Sequence, residues 1–174
     1  MKFLTICGVV VLLLVAGLAV ACSDGDGGSL SLEEYFQQLD EAQNDVDQRF
    51  EDAFQLEEPG PDTSEEDIAA FAREVVQAFA TILGDAEGTF GDLEAPAEAE
   101  DAHDALVLAI GDATTALDSV EDDLPDALSL EELETFFSSS DLEAATTAVD
   151  EACVALQTIA DDNSIDVDLA CEEE

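Results

Sequence analysis

The chain has 174 residues, with 3 Lys and Arg against 45 Asp and Glu, and a formal net charge of −42 at pH 7. So few basic side chains exclude binding to nucleic-acid phosphates, because that binding needs Lys and Arg to displace counterions. The same charge disfavours adsorption to an anionic membrane surface. Apolar residues nevertheless recur at regular spacing through most of the chain, so we expect a folded domain with a core rather than a disordered acidic chain.

The first 22 residues have the three parts of an export signal. Met1-Lys2 is a short positive region, an apolar stretch runs from Phe3 to Val20, and the small residue Ala21 precedes Cys22. The end of this stretch, Leu18–Cys22, resembles the lipobox of bacterial lipoprotein precursors. The resemblance implies that residues 1–21 are a signal peptide and that the thiol of Cys22 receives a diacylglyceryl group.

Two other interpretations of this segment stay open, a plain secretory signal and an uncleaved membrane anchor, for which roughly 20 apolar residues suffice. However, no Lys or Arg flanks the end of the stretch, and residues 22–30 form a Gly, Ser and Asp tract typical of a flexible tether. We therefore expect a lipid-anchored protein on the extracytoplasmic face of the cell membrane. Two acyl chains hold a protein stably, at roughly 0.8 kcal/mol per buried methylene.

Residues 31–174 predict a helical domain. A capping box starts the first helix at Ser31, and a Pro-Gly-Pro turn at 59–61 ends it near Glu57. A second box at Thr63–Glu66 predicts the next start, and Gly84 and Gly88 are expected to mark the end of that helix.

The third predicted helix has the most regular apolar pattern in the chain. It begins near Pro96 and ends before Pro125. Its buried seam is expected to contain Ala99, His103, Leu106, Ile110, Ala113, Leu117, Val120 and Leu124, at alternating steps of four and three residues. Such spacing is typical of a helix in a bundle.

A third capping box at Ser129 opens a short helix, and a fourth long helix is expected from Ser140. Strand signals are nearly absent, and the alternation at Ile165–Leu169 is isolated, with no partner strand. The loops are short, so consecutive helices should be antiparallel. We predict an all-α fold: an antiparallel up-and-down four-helix bundle with a short extra helix before the last long one and a disulfide-tied C-terminal tail.

The cysteines divide into two groups. Cys7 belongs to the signal and Cys22 is the lipidation candidate, which leaves Cys153 and Cys171. An even pair in an exported domain predicts a disulfide, which ties the tail to the last helix. The other interpretation, a metal-binding pair, finds little support because the chain has one histidine.

His103 is the only histidine, and it lies on the apolar seam of the third helix. One interpretation is a metal or haem ligand inside the bundle. The favoured one is a partly buried histidine hydrogen-bonded to a neighbour. Its ring could be oriented by a nearby carboxylate, from Glu98, Glu100, Asp101 or Asp104.

The acidic segment 161–168 is a second candidate for metal binding, through Asp161, Asn163, Asp166 and Asp168. It departs from a calcium loop of the EF-hand type, since Ile165 takes a ligand position and Asp166 replaces the required glycine. The alternative is an acidic cap beside the disulfide.

No motif for nucleophilic catalysis, phosphate binding or a cofactor is found, so neither a catalytic residue nor a cofactor is predicted. We expect a non-enzymatic envelope protein that works by interaction. The candidate partners are the membrane through the lipid, divalent cations, and a basic protein. The alternative function is a binding module for a divalent cation or small ligand within or at the end of the bundle.

Overall fold

A computed structural model describes residues 30–53, 59–60, 62–136 and 140–171, and side chains 134–136 and 140 are not included. The described residues contain five α-helices and no strand, so the prediction of an all-α domain is confirmed. The helices are α1 (Leu32–Ala53), α2 (Glu65–Gly91), α3 (Glu100–Asp123), α4 (Leu130–Phe136) and α5 (Ser140–Asp162).

Capping boxes start two of these helices at the predicted residues. Ser31 donates its backbone N–H to the Glu34 carboxylate at 3.2 Å and accepts the Glu34 N–H at 3.3 Å. Ser129 and Glu132 make the same reciprocal pair before α4. These hydrogen bonds satisfy backbone donors that a helix start leaves free.

The start predicted for α2 is wrong by one residue. Ser64, not Thr63, is the N-cap, and its hydroxyl oxygen accepts the N–H of Asp67 at 3.2 Å. The Asp67 carboxylate accepts the Ser64 hydroxyl proton in turn. Serine has the stronger preference of the two for this position.

The predicted end of α2 is also wrong. The helix continues through Gly84 and Gly88 to Gly91, so most of the expected connector at 89–95 is helical or turn. Phe90 explains the extension, since it is 5% exposed and packs into the main core. Burial of this ring outweighs the low helix propensity of glycine.

Helix α3 follows the predicted seam. Every residue of that seam, from Ala99 to Leu124, is buried, and the helix ends at Asp123 before Pro125. Its neighbour α2 runs in the opposite direction, because Gln77 contacts Glu121 near one end and Gly91 lies beside Val107 near the other. Helix α3 also contacts α5 through Ala113, Ala116 and Ala145.

Two clusters form most of the core. The larger one joins α1, α2, α3, α5 and the tail through Tyr35, Phe36, Leu39, Ala86, Phe90, Ala99, Leu106, Ile110, Ala152, Leu156, Ala160 and Leu169. The other lies where the start of α2 meets the end of α3, and Leu128 and Leu133 bring the α4 segment to it.

The two arginines of the domain both connect helices. Arg49 of α1 forms an ion pair with Asp85 of α2 at 2.6 Å. Arg73 of α2 donates to the carbonyls of Leu124 and Pro125, at 3.4 Å each. They are the only two Lys or Arg residues after residue 22 of the sequence.

Helix α5 ends in a Schellman motif. Ile165 donates its N–H to the Ala160 carbonyl and Ser164 donates to Asp161. Ser164 has φ 57°, the left-handed conformation that glycine usually supplies there. The chain then reverses, and residues 165–171 run as a tail without regular structure.

Candidate functional site

His103 and Tyr35 form a buried polar pair between α3 and α1. The apolar seam of α3 carries His103 into the core, where its side chain is 5% exposed, and Tyr35 is 0% exposed. The Tyr35 hydroxyl lies 3.0 Å from Nδ1 of His103, and the two rings meet edge to face. This hydrogen bond connects two helices that are far apart in sequence.

The hydroxyl proton of Tyr35 fixes the histidine tautomer. His103 Nδ1 is the one hydrogen-bond partner of this hydroxyl among the described residues. If Nδ1 carried a proton, the buried hydroxyl would be left without an acceptor, which costs about 1–3 kcal/mol. Tyr35 therefore donates to Nδ1, and the ring proton resides on Nε2.

Burial shifts the pKa values of both groups toward their neutral forms. Burial lowers the pKa of His103 below its usual value, and the negative charge of Asp104 opposes this only in part. Burial likewise raises the pKa of Tyr35 well above its usual value. Both side chains are thus neutral at pH 7, and the pair is a hydrogen bond between uncharged groups.

His103 is buried and hydrogen-bonded to a neighbour, as the favoured interpretation expected, but its partner is not one of the nearby acids. The four nearby acids proposed to orient the ring, Glu98, Glu100, Asp101 and Asp104, are all exposed, and the ring is held by Tyr35. The available signal was the position of the only tyrosine on the apolar face of α1, since a buried tyrosine needs a hydrogen-bond partner.

A groove of about 580 Å³, open to solvent, lies between α2 and α3, and His103 contributes to its lining. Acidic, apolar and small residues form the rest of the lining, namely Glu87, Gly91, Asp104, Val107, Leu108, Gly111, Asp112, Thr114 and Thr115. Leu108 is 68% exposed, the largest value among the exposed large hydrophobic side chains that the structure describes. The residue pattern of either helix alone does not predict this groove, because the groove depends on the register between the two helices.

Of the four candidates in the acidic segment, Asp161 and Asp168 line one surface pocket, and Asn163 and Asp166 do not join them there. Asp161 accepts from Gln157 at 3.0 Å, Asn163 donates to the Ile159 carbonyl, and Asp168 accepts the Ala170 N–H. Asp166 is exposed. In the described part of the chain, no group of three or more His, Cys, Asp or Glu side chains is arranged to hold a metal ion.

Cys153 of α5 and Cys171 of the tail lie side by side at disulfide distance, with Cα atoms 5.6 Å apart. This separation is within the usual range for such a bond. Gln157 holds the same tail by donating to the Val167 carbonyl and accepting the Leu169 N–H. Gln43 of α1 also donates to the carbonyl of Leu169. The tail is thereby attached to both α5 and α1.

The described residues do not include the predicted signal segment 1–21, the lipidation candidate Cys22 or nearly all of the predicted tether 22–30. Among the helices that are described, none is both long enough and apolar enough to cross a membrane.

Comparison with known proteins gives no relative for this chain. No family model matches the sequence, and neither a curated protein nor a solved structure shows significant similarity. Proposals about function therefore depend on the residues and geometry described above.

Proposed function

We propose that this chain is a lipid-anchored, acidic protein of the extracytoplasmic face of a bacterial cell membrane, with a helical domain that acts by non-catalytic interaction. The lipid is attached at Cys22, after removal of residues 1–21. A flexible tether at 22–30 holds the domain away from the anionic lipid surface, which repels it.

The observation that carries this proposal is the placement of Cys153 and Cys171 at a distance that suits a disulfide. Disulfides persist in oxidising compartments outside the cytoplasm and are rare inside it. The segment at residues 1–22 that resembles an export signal and this cysteine pair are separate features of the chain, and both favour export. Together they support an extracytoplasmic location.

The interaction role is supported by the state of His103. The only histidine of the chain is buried, neutral and hydrogen-bonded to Tyr35. A histidine of this kind does not serve as an accessible general base. The strong negative charge, by contrast, favours attraction of a basic partner.

We further propose that α1, α2, α3 and α5 form an antiparallel, up-and-down four-helix bundle. Contacts in opposite chain order support this for α2 and α3, as described above. For α1 and α2, Phe36 near the start of α1 shares a cluster with Phe90 near the end of α2, whereas Phe50 near the end of α1 contacts Phe79. For α3 and α5, the early residue Leu106 shares a cluster with Leu156, and the later residue Ala113 shares one with Ala145.

The test of lipid anchoring is fractionation of bacteria that express the full chain and its Cys22→Ala variant. We expect the wild-type chain in the membrane pellet, resistant to high-salt washing, extracted by detergent and accessible to protease added outside the cytoplasmic membrane. Cys22→Ala should lose the lipid and leave the detergent-extracted fraction. Cys7→Ala is the matched control, because this cysteine is inside the signal and should not affect anchoring.

Membrane association of Cys22→Ala at the wild-type level would contradict lipidation and favour an uncleaved anchor. Recovery of the wild-type chain as a soluble extracytoplasmic protein would favour a plain secretory signal. Recovery in the cytoplasm would contradict export itself.

A further inference from the structure

The groove between α2 and α3 combines negative charge with an exposed apolar side chain. Glu87 of α2 and Asp104 and Asp112 of α3 line it, and neither arginine of the domain does. Leu108 is between the two α3 carboxylates in sequence and is 68% exposed. Leu108 is more exposed than any other large hydrophobic side chain that the structure describes, and an occupant that covered it would remove apolar surface from water.

A buried polar group also belongs to the lining of this groove. His103 is 5% exposed and its Nδ1 is hydrogen-bonded to Tyr35. No hydrogen bond to its Nε2 is present among the described residues. His103 lines the groove, which is open to solvent, so its Nε2 proton can be donated to water or to a carbonyl oxygen of an occupant.

The glycines beside the groove give a third indication. Gly91 and Gly111 both line it. A glycine inside a helix makes that helix less stable than an alanine at the same position would. The packing of α2 and α3 does not require glycine at 91, where an added Cβ would be 3.8 Å from Val107. At Gly111 the added Cβ would be 3.1 Å from the Glu87 carboxylate, which it would displace. Both glycines keep the groove open.

We propose that this groove binds a basic, amphipathic segment of a partner protein. The proposal rests on the proposed function and names the chemistry of its partner. Lys or Arg side chains of the segment pair with Glu87, Asp104 and Asp112, and an apolar side chain covers Leu108. A carbonyl of the segment accepts the Nε2 proton of His103. Charge complementarity attracts the segment, and the apolar contact distinguishes it from other cations.

The probe for this proposal is a short synthetic peptide of lysine and leucine with one apolar helical face. It is titrated into the purified, detergent-extracted full chain, with NMR detection of the Leu108 methyls and the His103 ring. We expect both signals to shift in a saturable way. A peptide with serine in place of leucine has the same charge and should bind at least about tenfold more weakly.

Paired variants separate the groove from the general charge of the protein. Asp112→Asn and Leu108→Ser should each lower the affinity for the peptide by about fivefold or more. Asp118 is on the exposed surface of α3 outside the groove, so Asp118→Asn should change this affinity less than about twofold. Gly91→Ala should weaken binding while Gly88→Ala, on the same helix and outside the groove, should not. The two alanine variants should be at least as stable as the wild type.

Equal effects of Asp118→Asn and Asp112→Asn would overturn the proposal, because binding would then depend on net charge alone. Absence of saturable shifts at Leu108 and His103 would overturn it as well. Neither outcome affects lipid anchoring, which is measured separately with Cys22→Ala. If anchoring fails and the groove binds, the proposed location is wrong and the groove still has a ligand.

Discussion

At the scale of single residues, the Tyr35–His103 pair is the feature with the most specific chemistry. Each side chain is the only one of its type in the sequence, and no tryptophan is present. The hydrogen bond at 3.0 Å ties the start of α1 to the start of α3. Spectroscopic signals from tyrosine and histidine therefore report on this one contact, and no choice among several residues of the same type is needed to interpret them.

The lowered pKa of His103 predicts acid sensitivity of the pair. The folded state favours the neutral ring, so the stability that His103 contributes is complete above its ordinary pKa of about 6.5. This stability is lost as the pH falls through the lower folded pKa. We expect the stability advantage of the wild type over His103→Asn, measured by urea unfolding at fixed ionic strength, to shrink below about pH 6.

The His103→Asn variant serves as the control for the many carboxylates, because their titration changes the stability of the wild type and of the variant alike. A stability difference that stays constant from neutral to acid pH would contradict the lowered pKa. So would an NMR titration in which the ring of His103 takes up its proton above the pH expected for an exposed histidine.

Gly88 gives a second prediction for a single residue. It lies inside α2, is exposed, and an added Cβ would meet no atom within 4 Å. Gly88→Ala should therefore raise the free energy of unfolding by about 1 kcal/mol through helix propensity alone. Denaturant unfolding measures this change. A destabilised variant would mean that the helix does not extend through residue 88.

At the scale of helices, the features predicted from sequence are those that depend on nearby residues. Capping boxes at Ser31 and Ser129 depend on residues three positions apart, and the α3 seam depends on its own periodicity. The end of α2 was predicted wrongly because it depends on burial of Phe90 in a core built from other helices. Local glycine signals do not contain that information.

The candidate site was likewise predicted only where it depends on residues that are close in sequence. The apolar position of His103 was apparent from the spacing of the α3 seam, and the structure buries it. Its partner Tyr35 was not identified, because 68 residues separate the two in sequence. The groove depends on the way Glu87 of α2 faces Gly111 of α3, which the pattern of either helix alone does not specify.

The attachment of the tail to α5 predicts a measurable effect of the disulfide. Cys153 and Cys171 are 18 residues apart, and closing a loop of this length contributes about 3 kcal/mol in the chain-entropy model. The double variant Cys153→Ala/Cys171→Ala should lose about that much stability in denaturant unfolding. Reduction of the wild type provides the matched comparison. A loss below about 1 kcal/mol would show that the hydrogen bonds of Gln157 and Gln43 hold the tail sufficiently.

At the scale of the whole molecule, charge dominates the energetics. A net charge of −42 makes the folded chain repel itself. The two arginines of the domain are occupied at helix contacts and neutralise little of this charge. Salt therefore stabilises the fold, because it screens the repulsion within about 10 Å at 0.1 M.

Because salt screens this repulsion, we expect added NaCl to raise the melting temperature of the purified domain by at least about 3 °C. This shift corresponds to about 1 kcal/mol for a chain of this size. Calcium chloride at matched ionic strength should act through the same screening. A much larger, saturable effect of calcium would instead favour specific binding by the acidic segment at Asp161–Asp168. Scanning calorimetry distinguishes the two responses.

The central claim, a lipid-anchored extracytoplasmic protein with one disulfide, is tested most directly by the intact mass of the chain purified from bacterial membranes. We predict the mass of residues 22–174 plus a diacylglyceryl group, reduced by the two hydrogens lost when Cys153 and Cys171 are oxidised. Reduction should restore those two hydrogens and leave the lipid in place. A mass equal to the full 174 residues, or to a cleaved chain without lipid, would contradict the account.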